Sequence, residues 1–238
     1  MVLFKGYPKE QIMKRIFLLL SIFGSVLILR SQEGQISQQL SAFKELKVYD
    51  GLSVNLIRSN KNSAVITGAN TSKVAIVNTD GVLKIRMEIT KLFSGYRTFI
   101  DLYYTDELLV IDVNEDARIT TKDNIKQDVI ELKAQEGGEI NIQAQVEQML
   151  IKAVTGGVIT TTGLSDNQDV QINTGGIYKG KDFKTKFTTV NVNAGSSAEI
   201  FASSYVKVSV KAGGTVYVYG DPEKMEEKTV FGGKIERM

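Results

Sequence analysis

The stretch that decides the fold reads Thr155-Gly156-Gly157, and it returns one period later as Thr174-Gly175-Gly176. Between Gly137 and Gly232, the first glycines of successive runs lie 19, 19, 20, 18 and 19 residues apart. A spacing this regular is typical of a chain that coils and stacks on itself, because each turn then supplies one equivalent segment. We predict that these glycines form structural corners at Gly137, Gly138, Gly156, Gly157, Gly175, Gly176, Gly195, Gly213, Gly214, Gly232 and Gly233.

Short strands with alternating polarity flank each glycine pair. Val170-Gln171-Ile172 comes before one pair, and Val216-Tyr217-Val218 follows another. Alternation of β-branched and polar residues is typical of strands that bury one face. A lone strand pair is marginal in water, whereas stacked rungs pair every strand above and below. The residues therefore predict an all-β, single-domain parallel β-helix, or solenoid, with rungs of about 19 residues.

The glycines at the corners have a structural explanation. A sharp turn often needs φ > 0, and a side chain at a stacked corner would collide with the next rung. A phosphate-binding loop would need a helix after the glycines, and none follows here. We therefore expect replacement of Gly175 or Gly213 by Val to lower stability rather than to remove a binding activity from a folded protein.

Composition excludes several classes of site. The 238-residue chain contains no Cys, His or Trp, so disulfides and metal sites built on Cys or His are excluded. We expect no cofactor and no metal. The formal charge is +2, but residues 1–31 carry +4, which leaves −2 on the remainder. Because residues 32–238 carry no excess of positive charge to attract phosphates, we expect no nucleic-acid partner.

The N-terminal residues have the pattern of a secretory signal peptide. Lys14-Arg15 precedes an apolar run, Ile16 to Leu29, which is typical of a signal peptide over residues 1–31. Met13 is an alternative start. The apolar run is shorter than the ~20 residues that a transmembrane helix needs, so we predict no transmembrane span in the mature protein. The alternative is that the run is not cleaved and serves as an N-terminal anchor. We predict export to the periplasm or cell surface, a flexible lead-in over residues 32–42, and the β-helix over residues 43–238.

Residues 88–99 interrupt the alternating pattern. They combine Leu92, Phe93 and Tyr96 with Arg97, and they read as a protruding hairpin or loop. Exposed aromatic residues beside an arginine are enriched at contacts, so these four residues are the predicted ligand-binding candidates. The alternative is that the segment folds back as a cap over the end of the helix.

Three stretches resemble one family. The end of the chain carries Val216-Tyr217-Val218-Tyr219-Gly220-Asp221-Pro222, followed by Phe231-Gly232-Gly233 and a basic tail. Together with residues 43–56 and 98–108, it resembles the "putative auto-transporter adhesin, head GIN domain" family over residues 43–235. The chain departs from that family at Asp106, where proline is usual, and at Ser196, which replaces a second glycine. The resemblance implies a right-handed, pectin-lyase-like β-helix and a role in adhesion, with no catalytic residues to transfer.

Three functions fit these observations. The first is an exported, non-enzymatic binding or adhesion module that recognises a glycan or a protein at the cell envelope. The second is a polysaccharide-processing enzyme on the same fold. The third is a structural or assembly scaffold of the envelope, since open strand edges invite stacking and homo-oligomerisation stays open. Lys224 to Met238 is highly charged, which is typical of a cap against such stacking.

The carboxylates disfavour the enzyme. Hydrolysis of a glycoside needs two carboxyls about 5–10 Å apart across a groove. The acids near the coil do not recur in register on one strand, and most lie at corners. We therefore predict a non-enzyme without catalytic residues. The acids considered are Asp166, Asp169, Asp182, Glu199 and Asp221.

Overall fold

The computed structural model describes residues 34–238, which form a β-solenoid of about seven turns with rungs of about 19 residues. This confirms the all-β solenoid predicted from the glycine spacing. The predicted signal peptide over residues 1–31 and the alternative start at Met13 lie outside the described residues. Within residues 34–238, no helix is both long enough and apolar enough to span a bilayer.

Strands dominate the described chain, and three single-turn 3-10 helices connect some of them. The 3-10 helices span Thr71–Lys73, Ile89–Lys91 and Gly95–Arg97. The strands are β1 (Ile36–Gln39), β2 (Glu45–Val48), β3 (Ser53–Arg58), β4 (Ser63–Gly68), β5 (Val74–Thr79), β6 (Val82–Met87), β7 (Thr98–Tyr104), β8 (Val110–Val113), β9 (Arg118–Ala134), β10 (Glu139–Ala153), β11 (Val158–Ile172), β12 (Ile177–Lys179), β13 (Phe183–Val192), β14 (Ser197–Phe201), β15 (Tyr205–Lys211), β16 (Thr215–Tyr219), β17 (Lys224–Val230) and β18 (Lys234–Arg237).

Each rung has one strand before its glycine corner and one after it. The strands before the corners pair in the order β5, β6, β2, β8, β9, β10, β11, β13, β15, β17. The strands after the corners pair in the order β1, β4, β7, β3, β9, β10, β11, β12, β14, β16, β18. β9, β10 and β11 belong to both series. Alternate residues of both series point inward and form one continuous core of mainly Val, Ile and Leu.

The order of rungs differs from the order of the chain at the N-terminal end. The β2–β3 rung lies between the β6–β7 rung and the β8–β9 rung. Antiparallel strands close this end: β5 pairs with β6, β4 pairs with β7, and β1 pairs with β4. The prediction that residues 32–42 are a flexible lead-in is wrong for Ile36–Gln39, which form β1. They pair antiparallel with β4 through the backbone, from Ile36 with Ile66 to Gln39 with Ser63, so their polar side chains gave no strand pattern.

The corners are type I′ turns, in which two consecutive residues adopt positive φ. At one corner, Glu136 has φ 50° and Gly137 has φ 77°, and the Gly138 N–H donates to the Gln135 carbonyl at 2.8 Å. The two glycines of a pair are needed for different reasons. The first adopts the left-handed conformation. The second lies against the preceding rung, since a Cβ at Gly157 would be 2.2 Å from the Ala134 carbonyl oxygen.

Hydrogen bonds join each corner to the next. The Gly137 N–H donates to the Thr155 carbonyl at 3.2 Å, and the Gly175 N–H donates to the Ala194 carbonyl at 3.2 Å. The same bond recurs from Gly51 to Glu115 at 2.8 Å. The corners thus form a ladder along one edge of the solenoid, and each left-handed pair positions the rung that stacks on it.

The last rung carries charge where earlier rungs are apolar. Glu227 pairs with Val208 and Arg237 pairs with Val218, so both occupy inward-facing positions. Their side chains form an ion pair over this end of the core. Inward-pointing charges on an edge strand oppose pairing with another chain. This agrees with the charged cap predicted for residues 224–238.

The two glycines of one corner give a graded test. Gly175→Ala places a Cβ in open space but at φ +72°, which costs roughly 1–2 kcal/mol. Gly176→Ala places a Cβ 2.4 Å from the Ala153 carbonyl oxygen, so the backbone must move and the cost rises to about 3 kcal/mol. We expect thermal melts by circular dichroism to rank wild type, Gly175→Ala and Gly176→Ala in falling stability. The reverse order for the two variants would contradict the separate roles.

Thr174 provides a stabilising test at the same corner. It is β-branched yet adopts φ 51°, where Asn is tolerated far better. Thr174→Asn is expected to raise stability by about 1 kcal/mol and to raise the melting temperature. Thr162→Asn is the control, because Thr162 is exposed on extended β11, where Asn is disfavoured. A gain for both variants, or for the control alone, would contradict this explanation.

Candidate binding surface

Ten residues, 88–97, replace the two-residue corner in the β6–β7 rung, and we call this segment the tip. Asp50 anchors it from the neighbouring corner. This carboxylate is 1% exposed and accepts hydrogen bonds from the N–H groups of Met87 at 2.9 Å and Phe93 at 3.2 Å. The Asp50 carbonyl also accepts from the Gly95 N–H at 3.0 Å. The tip is therefore fixed on the stack of corners by buried hydrogen bonds.

The four candidate residues lie together on the tip but differ in their exposure and contacts. Leu92 and Phe93 are 47% and 57% exposed, and the Arg97 side chain is also exposed. Tyr96 lies at the base: its ring packs on Gly51, and its hydroxyl donates to Asp116 Oδ2 at 2.9 Å. The segment thus contacts the neighbouring corners at Gly51 and Asp116, and Tyr96 is itself 55% exposed. Ligand binding by these four residues stays a prediction.

Phe93 adopts an unfavourable backbone conformation within the tip. Its φ is 56°, in the left-handed region that bulky residues rarely adopt. The hydrogen bond to Asp50 holds its N–H in that conformation. Non-glycine residues at the corners adopt the same region, such as Phe231 with φ 51°, so the conformation of Phe93 belongs to the turn that Asp50 holds.

A groove lies beside the tip, on the outer face of β7, β3 and β9. Its volume is about 540 Å³. The floor is a grid of outward-facing side chains from the three neighbouring strands. One row contains Phe99, Ser53 and Arg118, and the next contains Asp101, Asn55 and Thr120.

A bulge forms one wall of the groove. Thr120 pairs with Asn141, but the next pair joins Asn124 to Gln143, so β9 has two extra residues there. Thr121 and Lys122 lie in this insertion and line the groove. Bulges are common beside functional sites, where they redirect side chains.

Sequence reasoning missed the groove. Its lining residues come from strands that are far apart in the chain and meet only through parallel pairing of β3 with β7 and β9. One signal was available. Asp116 occupies the corner position that is equivalent to Gly137, and the two are 21 residues apart instead of about 19. This longer rung was not recognised from the glycine spacing, because its corner has Asp116 in place of a glycine.

The polar side chains of the groove are arranged before any ligand binds. The Asn55 amide Nδ2 donates to Asp101 Oδ1 at 3.0 Å. Arg118 forms an ion pair with Glu139 at 3.3 Å. Lys122 forms no ion pair with any described residue. Phe99 is 52% exposed at the edge of this network, so a flat apolar ring adjoins a fixed set of donors and acceptors.

The corners next to the tip carry several acids. Glu115 has a raised pKa because burial disfavours its charge and because Asp50 and Glu136 lie nearby. Tyr96 also has a raised pKa, through its hydrogen bond to Asp116. Among the described residues, no group of three or more acids is arranged to hold a metal ion.

Comparison with known proteins decides the family. The family model described as "Putative auto-transporter adhesin, head GIN domain" matches residues 42–222, which is most of the chain. The chain belongs to this adhesin family. The resemblance noted in the sequence is thereby confirmed. A comparison with curated proteins gave no match.

Solved structures share the fold of this adhesin-family chain. A putative adhesin from Bacteroides fragilis has a TM-score of 0.78 at 13% identity, covering 86% of this chain and 96% of that one. A putative adhesin from Parabacteroides merdae has a TM-score of 0.68 at 14% identity, covering 86% and 95%. A putative lipid binding protein from Parabacteroides distasonis has a TM-score of 0.66 at 16% identity, covering 86% and 96%. At these identities the similarity is one of fold.

Glu115 gives a pH-dependent test of the corner beneath the tip. Its folded-state pKa is raised, so the folded protein favours the protonated form. That contribution is fully present below the usual glutamate pKa of about 4.3 and is lost as pH rises through the folded pKa. Glu115→Gln is therefore expected to raise the melting temperature at pH 7 and to give no gain near pH 3.

Glu139→Gln is the matched control for this test. Glu139 pairs with the exposed Arg118 and is not one of the charges that raise the pKa of Glu115. It should give no gain at pH 7. A Glu115→Gln variant whose melting temperature equals that of wild type at pH 7 would contradict the crowding of acids at this corner.

Proposed function

We propose that this chain is an exported, non-enzymatic adhesion module, placed in the periplasm or at the cell surface, and that its groove binds a saccharide of the cell envelope. The observation that carries the proposal is the half-exposed ring of Phe99 beside the Asp101–Asn55 pair on one flat sheet face. Membership of the adhesin family supports a binding role. The choice of a saccharide rests on the chemistry of the groove.

The two sides of a sugar ring match the two parts of the groove. The C–H face of a pyranose is apolar and packs on an exposed aromatic ring such as Phe99. Its hydroxyls both donate and accept. The Asp101 carboxylate accepts hydrogen bonds, the Asn55 amide nitrogen donates, and the Thr120 hydroxyl does both. A saccharide can therefore use the apolar edge and the polar centre of the groove together.

The spacing of the grid suits neighbouring hydroxyls. Side chains on adjacent strands lie about 4.8 Å apart, and those two positions apart on one strand lie about 6.8 Å apart. Phe99 and Asp101 are separated by the longer distance, and Asp101 and Asn55 by the shorter. A single ring that rests on Phe99 thus reaches both polar side chains, and Lys122 on the bulge extends the contact to the next sugar unit.

The groove favours binding over hydrolysis. Asp101 is the one carboxylate among the described side chains that line it. Hydrolysis with inversion or retention uses a pair of carboxyls that flank the scissile bond. Elsewhere, one of the acids considered in the sequence, Asp166, is neutralised by an ion pair with Lys186 at 2.8 Å.

A glycan array followed by calorimetry on the hits tests this function. The chain from Gln32 is expected to bind at least one class of neutral saccharide. Phe99→Ala should weaken that binding roughly ten-fold through loss of a packed ring, and Asp101→Ala should weaken it by a similar factor through loss of a charged hydrogen-bond acceptor. Both variants should melt within a few degrees of wild type, since both side chains face solvent.

Phe187→Ala is the matched control. Phe187 is 46% exposed, similar to Phe99, but it lies on β13, several rungs from the groove. It should leave saccharide binding unchanged. If no saccharide binds, or if Phe187→Ala weakens binding as much as Phe99→Ala does, the groove is not the saccharide site.

A further inference from the structure

We propose that the tip inserts Ile89, Leu92 and Phe93 into the surface of a lipid bilayer that carries anionic headgroups. This contact is separate from the groove and does not depend on saccharide binding. Its occupant is a membrane surface, and the proposal rests on the apolar exposure of the tip and on two cations of the tip that form no ion pair with any residue of the range 34–238.

Exposed apolar side chains are concentrated at the tip. Four of the twelve large hydrophobic residues exposed in the described chain lie in the tip: Ile89, Leu92, Phe93 and Tyr96. Ile89 is 76% exposed and Phe93 is 57% exposed. The tip is longer than the two-residue corners beside it, so these side chains project from the solenoid edge. A projecting apolar surface suits a fluid apolar phase, which needs no complementary cavity, better than it suits a folded partner.

Cations surround these apolar residues. Lys91 lies between Ile89 and Leu92 in the chain, and Arg97 ends the tip. Neither forms an ion pair with any residue of the range 34–238, whereas nearby Lys73 is neutralised by Glu88 at 3.2 Å. Apolar side chains with flanking Lys and Arg are the pattern of segments that lie at a bilayer surface, where the cations contact anionic headgroups.

Acidic corners set the depth of the contact. Glu115, Asp116 and Glu136 follow along the corner edge beyond Tyr96 and face the same side as the tip base. Their negative charge disfavours a closer approach of these corners to an anionic surface. Insertion is therefore confined to the residues outside Tyr96, which leaves the groove accessible.

The absence of tryptophan from the chain gives a direct measurement. Residues 35–238 form one compact unit with its own core, so the chain from Gln32 serves for the test. Leu92→Trp places a single fluorophore on the tip. Its emission should shift to shorter wavelength on addition of vesicles of phosphatidylcholine and phosphatidylglycerol, because the indole leaves water. Phe187→Trp, on a distant rung, should show no shift with the same vesicles.

Vesicle sedimentation tests the apolar and charged parts separately. Leu92→Ser with Phe93→Ser should reduce the bound fraction roughly ten-fold or more, since two large side chains lose their burial. Lys91→Gln with Arg97→Gln should weaken binding to vesicles that contain phosphatidylglycerol and leave the weaker binding to pure phosphatidylcholine unchanged. Melting curves of each variant confirm folding, because all four side chains are exposed.

The outcomes are decisive in either direction. A shift at Leu92→Trp with loss on Leu92→Ser and Phe93→Ser supports membrane contact through the tip. Absence of both a shift and sedimentation overturns it, and so does equal binding by the double serine variant. Capture of a protein by the tip in the absence of lipid binding would also overturn it, in favour of a protein partner.

Discussion

The structure depends on one constraint: every rung must place its corner over the corner of the rung before it. At most corners the constraint is met by two consecutive residues of positive φ, an N–H that bonds to the next corner, and a second glycine with no room for a Cβ. Ser196 takes the position of the second glycine at one corner. Strand pairing on both sides of the corner then follows, because the corners set the register. The Val and Ile core is continuous only while that register holds.

Two large departures from the regular rung lie at one end and coincide with the candidate surface. The β6–β7 rung expands its corner into the tip, and the β8–β9 rung gains two residues in the bulge. Neither change improves stacking. The tip needs the buried Asp50 to hold it, and it keeps Phe93 in a left-handed conformation. Places where a sequence breaks its own local rule without a gain in packing are where function is expected.

Local pattern predicted the regular part of the fold and little of the irregular part. The spacing from Gly137 to Gly232 and the alternation around it are properties of neighbouring residues, so they can be recognised without a structure. Placement of β2–β3 between two later rungs depends on pairings some forty residues apart, and no local pattern encodes it. β1 was missed because its sequence is polar and it pairs through its backbone.

At the candidate site, Leu92, Phe93, Tyr96 and Arg97 were found because they break the alternation of the strands. Phe99 and Asp101 were missed as groove residues because they keep the alternation of an ordinary strand.

The two ends of the solenoid are closed by different means, and this directs any partner to the flank. At the N-terminal end, β4, β1 and β5 reverse direction and replace a parallel edge by short antiparallel strands. At the other end, Glu227 and Arg237 put charge at positions where Val208 and Val218 continue the core one rung earlier. A chain that pairs with the last rung would have to bury that ion pair without water, a cost that the strand hydrogen bonds do not offset. Growth by end-to-end stacking is thereby disfavoured, and both proposed contacts, the groove and the tip, lie on the side of the first rungs.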